Sequence, residues 1–329
     1  MTTRWGIAGT GKMADGFVSD FGHVPDAVIA AVGSRRTDSA AEFAARHGID
    51  RAHGSYRALV DDPDLDVVYI ATPHPQHHAI AKAAIEAGKA VLVEKAFTAT
   101  LAGAEDLVAL ARSRGVFAME AMWTRFQPAV VRARELVAAG EIGEVRMVQA
   151  DLGAYRTYDE TDRLFALELG GGTTLDLGVY VISIAEHFLG RPSRVHVSGT
   201  TFPNGADASL GILLGYDDGR SATLLASLES ETGGRAVVAG TGGSIEIAPR
   251  FHHPDTLIVK RNGQPVETVV REPTGHGYCH EAIEVNRCLA AGLTESPVMP
   301  LDDTLAVQWA MEQVLEQLGI TAVEDSSVL

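Results

Sequence analysis

The chain is 329 residues long, 46% of them hydrophobic and 21% charged, and its formal net charge is −16. These proportions are typical of a globular protein, and a chain longer than about 250–300 residues usually forms two domains. The acidic balance disfavours nucleic acid as a partner. The sequence also has no run of about 18 apolar residues that would predict a membrane span.

The first third of the chain alternates apolar strands with helices. The strand-like runs RWGIAG, AVIAAVGS, DVVYIAT and AVLVEKA are separated by helical stretches such as DSAAEFAARHG and PQHHAIAKAAIEAGK. Continuous apolar strands separated by helices predict βαβ units and a parallel sheet with both faces covered. No basic segment followed by an apolar one precedes RWGIAG, so we expect a cytoplasmic protein.

After about residue 120 the pattern changes. Strand-like runs from RVHVSGTTF to VETVV follow one another, most of them without a helix between them, and turn pairs such as Asp218-Gly219 and Asn262-Gly263 divide them. Consecutive hairpins predict an antiparallel sheet. Two helices are predicted near 276–291 and 301–318. Cys279 and Cys288 fit neither a zinc pair nor a disulfide framework, which indicates reduced thiols.

The segment GTGKMA follows the first strand directly and opens a helix. Gly9 permits a tight turn, Gly11 lets a pyrophosphate approach the backbone, and the small Ala14 lets helix and strand pack closely. The helix N-terminus adds N–H donors and a positive dipole. The segment therefore predicts a dinucleotide site, in which we also include Thr10, Lys12 and Met13.

The end of the second strand indicates which dinucleotide binds. An NAD site would usually place an acidic residue there for the ribose 2′-hydroxyl, whereas this chain has Ser34, Arg35 and Arg36. Two guanidinium groups and a hydroxyl suit a 2′-phosphate. We therefore predict NADP(H) as the preferred cofactor. The alternative is that the arginines are only solvent-exposed residues of a surface loop.

The segment VLVEKAFT ends a buried strand with Glu94 and Lys95. Hydride transfer to or from a carbon that bears oxygen requires a proton transfer at that oxygen. The carboxyl ends of parallel strands open onto the ligand crevice, so Lys95 is placed to donate to the substrate oxygen or to perturb a neighbouring acid. A charged surface turn is the alternative explanation.

Several segments together resemble the glucose–fructose oxidoreductase/inositol dehydrogenase family (Gfo/Idh/MocA). The resemblance covers nearly the whole chain and implies an α/β protein: an N-terminal Rossmann domain, residues 1–120, and a C-terminal α+β domain, residues 121–329, with a large open, mostly antiparallel sheet. The C-terminal helices are expected to pack back on the Rossmann domain. The resemblance also implies NAD(P)-dependent oxidation of sugar-like hydroxyls. The segments are the glycine turn, ATPHPQHHAIAKAAIEAGKAVLVEKAF, GEIGEVRMV, GGGTTLDLGVY and ESPVMPLDDTLAVQWAMEQV.

Two family signatures are present in altered form. The usual Glu-Lys-Pro is Glu94-Lys95-Ala96 here, and the resemblance implies a catalytic or positioning role for the lysine and a supporting role for Glu94. The usual Asp followed four residues later by His is Asp176 and Tyr180. This variant resembles the dimeric dihydrodiol dehydrogenase and NADP-dependent D-xylose dehydrogenase subgroup. By that resemblance, Tyr180 is the acid/base, Lys95 its partner and Asp176 an orienting carboxylate.

Other residues are assigned to the site more loosely. Where the strand DVVYIAT leads into the next helix, we expect cofactor contacts from Thr72, Pro73, His74 and His77. The substrate wall is predicted to include Trp123, Arg125, Tyr155 and Arg156.

No metal site is predicted. The histidines of PHPQHH match no familiar zinc spacing, and His252 and His253 are expected to be solvated. GGG at 170–172 suggests a chain that passes close to a ligand or to backbone, or a flexible turn.

Three functions remain open at this point. The first is an NADP-dependent dehydrogenase that acts on a sugar, polyol or vicinal diol. The second is a regulatory protein that holds NADP(H) without turnover, and the third is a glycosidase that uses bound cofactor transiently. An open sheet with one apolar face must be covered, and by resemblance we expect a homodimer or homotetramer.

Overall fold

The structure is a computed structural model that describes residues 2–329. The described chain divides into two compact units. The first contains the chain up to Met122 together with Thr274–Thr304 and Val323–Leu329. The second contains Trp123–Pro273 and Leu305–Ala322.

The regular elements follow the predicted order. The strands are β1 (Thr3–Ala8), β2 (Ala27–Gly33), β3 (Arg51–His53), β4 (Val67–Ile70), β5 (Ala90–Glu94), β6 (Ala118–Ala121), β7 (Val145–Gly153), β8 (Arg194–Thr201), β9 (Asp207–Gly215), β10 (Ser221–Ser227), β11 (Ala236–Gly240), β12 (Gly243–Ile247), β13 (Thr256–Arg261) and β14 (Glu267–Val270). The helices are α1 (Lys12–Asp20), α2 (Thr37–His47), α3 (Tyr56–Val60), α4 (His74–Glu86), α5 (Leu101–Arg114), α6 (Pro128–Ala138), α7 (Val179–Leu189), α8 (Cys279–Ala290) and α9 (Leu301–Gln317).

The first unit is built on a six-stranded parallel sheet. Its strand order is β3-β2-β1-β4-β5-β6, and every neighbouring pair is parallel. All residues of β4 and β5 are buried, which explains their continuous apolar sequence. The predicted Rossmann-type sheet is confirmed, with β1 and β4 side by side at its centre.

The second unit is built on an eight-stranded sheet. Its strand order is β14-β13-β12-β11-β7-β10-β9-β8, and every pair is antiparallel except β7 with β10. Helix α7 packs against β7, β10 and β11, and α6 packs against β12 and β13. Side chains along β9 and β10 alternate between buried and more exposed positions, as expected for a sheet covered on one face. The prediction of a large, mostly antiparallel sheet is confirmed.

The start of α7 is anchored by a buried carboxylate. A π-helical turn, Thr174–Gly178, leads directly into the helix. At the first residue of this turn, the backbone N–H and the hydroxyl of Thr174 both donate to Asp207 Oδ2, at 2.5 and 2.6 Å. Asp207 is 2% exposed, and burial raises the pKa of its carboxyl. This contact joins the helix start to the first residue of β9.

The glycines at 170–172 make room for this anchor. A Cβ atom on Gly171 would lie 2.5 Å from the carbonyl carbon of Phe165. Gly172 has a φ of +123°, and a Cβ atom there would overlap Asp207 Oδ1. Of the explanations that the sequence left open, close approach to backbone therefore accounts for Gly171, and close approach to a buried carboxylate accounts for Gly172.

We predict that Gly172→Ala destabilises the protein more than Gly219→Ala does. Both glycines have a positive φ, but a Cβ atom at Gly219 would meet nothing within 4 Å. The control variant should therefore lose only the stability that a side chain costs in a left-handed backbone conformation, about 1–2 kcal/mol. Gly172→Ala should also disturb the buried hydrogen bonds of Asp207, at about 1–3 kcal/mol for each unsatisfied group. Urea unfolding followed by circular dichroism measures the difference, and equal losses would contradict the anchor.

Candidate active site

The glycine turn in the first unit has the geometry of an anion site. Gly9 has a φ of +119°, and a Cβ atom there would lie 2.6 Å from the carbonyl oxygen of Ala71. Gly11 is the N-cap of α1 and, as a glycine, has no side chain to cap the helix. A Cβ atom at Gly11 would meet nothing within 4 Å. Ala14 is fully buried. The turn thus presents the first N–H groups of a nine-residue helix to open space, as a pyrophosphate requires.

The residues beside this turn differ in exposure. Gly11 and Lys12 are exposed, whereas Thr10 and Met13 are half-buried. After β2, Ser34 is buried and Arg35 and Arg36 are exposed, so both guanidinium groups lie on the surface. The Ser34 hydroxyl accepts a hydrogen bond from the backbone N–H of Arg36 at 3.4 Å.

A histidine joins the ends of β4 and β5. The ring of His77 is fully buried, with Nδ1 2.9 Å from the carbonyl oxygen of Ala96 and Nε2 2.8 Å from that of Thr72. Both oxygens only accept hydrogen bonds, so each of these bonds needs an N–H on the ring nitrogen that faces it. His74 is also buried, with its ring 5.8 Å from that of His77, and Pro73 is half-buried.

The segment after β5 is held by two buried carboxylates. Glu94 accepts a hydrogen bond from the hydroxyl of Tyr69 at 2.5 Å. The backbone N–H of Phe97 donates to Glu120 at 3.2 Å. Lys95 lies between these two points and is half-buried, and its peptide bond to Ala96 is cis. The charged pair of VLVEKAFT is therefore not a surface turn: its carboxylate is 5% exposed.

In the second unit, the hydroxyl of Tyr180 has a defined partner. Tyr180 lies in the first turn of α7 and is 8% exposed. The indole N–H of Trp123 donates to the Tyr180 oxygen at 3.1 Å. An indole N–H only donates, so the Tyr180 oxygen is the acceptor in this hydrogen bond.

Two histidines complete the surroundings of Tyr180. The ring of His252 lies 5.2 Å from the Tyr180 ring, and the ring of His253 lies 5.3 Å from that of Trp123. Both are half-buried, so the expectation that they are solvated is wrong. Burial, with a smaller contribution from the Arg250 charge, lowers the pKa of His253. Sequence reasoning missed them because their only local signal is the pair itself, after the buried Phe251.

Asp176 lies in the π-helical turn, four residues before Tyr180. Its side chain is 17% exposed, and one carboxylate oxygen lies 3.7 Å from the guanidinium of Arg163, which is exposed. A carboxylate and a guanidinium at the edge of the unit offer an acceptor and several donors to a hydroxylated molecule.

The remaining predicted wall residues lie in different environments. Arg125 is 1% exposed and forms a buried ion pair with Glu186. Trp123 is 8% exposed. Tyr155 is 59% exposed, and Arg156 is exposed and donates to the Tyr155 carbonyl oxygen at 2.8 Å. The structure therefore joins Trp123 to Tyr180 and gives Arg125 a buried acidic partner.

Neither a metal cluster nor a membrane helix is found in the part of the chain that the structure describes. Residues 2–329 contain no group of three or more His, Cys, Asp or Glu side chains arranged to hold a metal ion. Within the same range, no helix combines the length and the apolar character of a membrane-spanning segment. Cys279 and Cys288 are free and buried, and burial raises the pKa of their thiols to about 11 and about 12. Neither thiol is therefore a nucleophile near neutral pH.

Comparisons with known families match both parts of the chain. Residues 3–122 match the oxidoreductase family with an NAD-binding Rossmann fold, GFO/IDH/MocA. Residues 130–246 match the GFO/IDH/MocA C-terminal domain.

Relatives of similar length resemble this chain in sequence or in fold. Trans-1,2-dihydrobenzene-1,2-diol dehydrogenase of Xenopus tropicalis is 35% identical over 332 residues, which cover 98% of this chain and 99% of that protein. Levoglucosan dehydrogenase in complex with NADH and levoglucosan superposes with a TM-score of 0.88 at 23% identity, covering 97% of this chain and 98% of that one. The K102A mutant of KijD10, a 3-ketoreductase from Actinomadura kijaniata in complex with NADP, has a TM-score of 0.80 at 24% identity, covering 99% and 100%.

These matches confirm the resemblance that the signature segments carry, and the two structures have the same fold. The chain belongs to the GFO/IDH/MocA family of oxidoreductases.

Proposed function

We propose that the protein is an NADP-dependent dehydrogenase that transfers a hydride between the nicotinamide and a carbinol carbon of a sugar, polyol or vicinal diol. The observation that carries the proposal is the buried Tyr180 phenol, whose oxygen accepts from the Trp123 indole. The family and the diol dehydrogenase named above support the same class of substrate. The buried free thiols accord with a reducing, cytoplasmic location.

The first unit offers residues that fit the cofactor. The uncapped start of α1 suits the pyrophosphate, and the open side of Gly11 leaves room for it. When bound, the cofactor supplies the nicotinamide ring that gives or takes the hydride. The residues that we propose to hold it are Gly9, Thr10, Gly11, Lys12, Met13, Ser34, Arg35, Arg36, Thr72, Pro73, His74, His77, Glu94 and Lys95.

Tyr180 is the proposed acid/base. During oxidation its phenolate takes the proton of the substrate hydroxyl, and during reduction its phenol returns that proton to the carbonyl oxygen. The Trp123 N–H stabilises the phenolate, and the Lys95 ammonium is its proposed cationic partner. Asp176, which has one carboxylate oxygen 3.7 Å from the Arg163 guanidinium, is the proposed orienting carboxylate.

The surroundings of Tyr180 suit a hydroxylated substrate. The imidazoles of His252 and His253 each carry both a donor and an acceptor when neutral, and a lowered pKa keeps His253 neutral. The exposed Tyr155 and Arg156 remain proposed wall residues. We propose that Arg125 acts differently: because it is buried against Glu186, it supports the Trp123–Phe126 turn and does not touch the substrate.

Tyr180→Phe should lower turnover by about 10²–10⁴-fold while NADPH binding survives, because the ring is kept and only the proton-transferring hydroxyl is lost. Initial rates of NADP⁺ reduction over pentoses, hexoses, inositols and aromatic dihydrodiols measure turnover, and quenching of NADPH fluorescence measures binding. Tyr158→Phe is the matched control, because Tyr158 packs in a separate cluster with Phe165 and Phe202.

Near-normal turnover in Tyr180→Phe would refute the assigned role. If the wild-type protein binds NADPH but reduces no NADP⁺ over the whole panel, the regulatory function replaces the enzymatic one. Release of a glycone without a net change in NADPH absorbance would favour the glycosidase.

Preference for NADP(H) rests on the two exposed arginines after β2. Arg35 and Arg36 follow Ser34 directly, and none of these three positions carries an acid that could accept from a ribose hydroxyl. The solved structures with this fold include complexes with NADP and with NADH, so the fold alone does not set the preference.

Replacing Arg35 and Arg36 with serine should lower kcat/KM for NADP⁺ far more than kcat/KM for NAD⁺. Each lost charged hydrogen bond is worth about 1.5–3 kcal/mol, which corresponds to about tenfold to a hundredfold. Arg57→Ser, on the surface of α3, is the control for loss of a positive charge. A wild-type protein that favours NAD⁺ at matched low concentrations would contradict the assignment.

We also propose that a second copy of the chain covers the open face of the eight-stranded sheet. This face has a groove of about 720 Å³ between β8 and β11. Met147, Leu213 and Leu225 are 43%, 44% and 54% exposed on it. Asp151 and Arg235 also line the groove, so the face carries both charges and can pair with itself in an isologous contact.

Leu225→Arg should convert a homodimer, or a tetramer built on it, into a smaller species. The substitution places a charge at the centre of the apolar face, whereas the folded unit tolerates it because the residue is half-exposed. Size-exclusion chromatography with light scattering gives the mass. Val266→Arg, at a 60% exposed position just before β14, is the control. A monomeric wild type, or an unchanged mass in Leu225→Arg, would refute the interface.

A further inference from the structure

The last described stretch of the chain packs on the first unit. Residues Val323–Leu329, which we call the strap, belong to that unit, although the stretch before them, Leu305–Ala322, belongs to the second. Val328 is 6% exposed, so the strap has an apolar anchor. Its polar contacts fall at the starts of α4 and α5, directly after the two loops that carry proposed cofactor residues. The strap itself has no part in the proposed chemistry.

One strap residue fixes the start of α5. Thr100 is the N-cap of this helix, and its hydroxyl accepts from the backbone N–H of Gly103 at 3.0 Å. Glu324 Oε1 accepts from both the backbone N–H and the hydroxyl of Thr100, at 2.8 and 2.9 Å. The cap thus uses both of its donors on the strap and its side-chain acceptor on the helix. Glu324 therefore holds the residue at which the segment after β5 turns into a helix.

The segment that ends at this cap begins at Lys95. The four residues between Lys95 and Thr100 are each at most 4% exposed. Within it, the hydroxyl of Thr98 donates to the carbonyl oxygen of Thr100 at 2.8 Å. A short segment that is packed along its whole length has little room to absorb a shift at one end. The position of Thr100 therefore limits where Lys95 can lie.

The strap also contacts the start of α4. The backbone N–H of Asp325 donates to the carbonyl oxygen of Pro75 at 2.7 Å, and the side chain of Gln76 donates to Asp325 Oδ2 at 3.5 Å. The Asp325 carboxylate is itself held, because the backbone N–H and the hydroxyl of Ser327 donate to Oδ1 at 3.0 and 2.6 Å. His74 directly precedes Pro75, so the strap contacts α4 beside a proposed cofactor residue.

A second link joins the same two segments. His77 lies 2.9 Å from the carbonyl oxygen of Ala96 and 2.8 Å from that of Thr72, as described above, and it is fully buried. The strap, in contrast, has exposed residues at Val323 and Ser326. Of these two links, the strap is the one that can open without exposing the core.

We propose that the strap positions the loops after β4 and β5 for the cofactor, with Glu324 as its main positioning residue. A docked strap favours the loop arrangement that binds NADP(H), so strap docking and cofactor binding share a coupling free energy. The identity of the ligand rests on the proposed function, whereas the contacts of the strap are those of the first unit alone. A strap that only stabilises the fold would instead leave the cofactor affinity unchanged.

A glycine in α5 offers a way to displace Glu324 without replacing it. A Cβ atom on Gly103 would lie 2.6 Å from Glu324 Oε1. Gly103 lies in the first turn of α5, and alanine is the better helix former. Gly103→Ala therefore favours the helix but pushes the strap carboxylate from its place. It also provides a second test of the proposal if Glu324→Ala folds poorly.

The affinity of the full chain for NADPH and NADH, measured by fluorescence, tests the coupling. Glu324→Ala should raise the Kd of the cofactor by about 5–150-fold, the usual range for coupled sites, and should raise KM for the cofactor much more than it changes kcat. Gly103→Ala should shift Kd in the same direction. The double variant should bind no more weakly than Glu324→Ala, because the added methyl group then displaces no carboxylate. Glu105→Ala, at an exposed position of α5, is the control for a lost carboxylate.

Hydrogen exchange tests the same coupling without turnover. In the wild type, NADPH should slow exchange in the peptides that contain Thr100 and Asp325, because a coupling between two sites is reciprocal. Without cofactor, Glu324→Ala should speed exchange in residues 72–78 and 96–100 and leave β9, in the second unit, unchanged.

Three results would overturn the proposal. They are an unchanged cofactor Kd in Glu324→Ala, additive losses of affinity in the double variant, and strap exchange that NADPH does not slow. A lower melting temperature with an unchanged Kd would give the strap a purely structural role. If the wild type binds neither NADPH nor NADH, the proposed function fails, and exchange without cofactor still decides whether the strap holds the two loops.

Discussion

Burial of a carboxylate at the end of a strand is the constraint on which the first unit's candidate site depends. Parallel pairing of β4 with β5 brings Tyr69 beside Leu92 in the register and places its hydroxyl on Glu94. The Glu94 carboxyl group cannot leave the core without losing this hydrogen bond, so the backbone position of the next residue, Lys95, is fixed. Lys95 thereby lies where the parallel sheet presents its carboxyl ends.

In the second unit, a buried carboxylate fixes the start of a helix that carries a candidate site residue. The Asp207 carboxylate holds the turn that precedes α7, and the first turn of that helix carries Tyr180. Trp123 then reaches the phenol from a 3-10 turn, Trp123–Phe126, which the Arg125–Glu186 ion pair joins to the same helix. The phenol is thus held by contacts from two separate elements, which is the arrangement that a proton-transferring group requires.

The sequence predicted the fold well because its signals are local. Strand and helix periods, the glycine turn and the hairpin turn pairs each lie within a few residues, and the sheets follow from them. The contact of Asp207 with Thr174 joins residues 33 positions apart, and no local pattern marks it. His252 and His253 were misread for the same reason, since their partners Tyr180 and Trp123 are far away in the chain.

The first unit is assembled from three separate stretches of the chain. Its parallel sheet is complete at β6, yet α8 and the final stretch, Val323–Leu329, are synthesised only after all eight strands of the second sheet. During translation, therefore, the nascent Rossmann sheet emerges from the ribosome without α8 over Trp5, whose indole N–H donates to Asn286 of that helix at 3.2 Å. The part of its apolar surface that α8 covers stays open until that helix has been made, after β14 ends at Val270, which creates an interval in which chaperones can act.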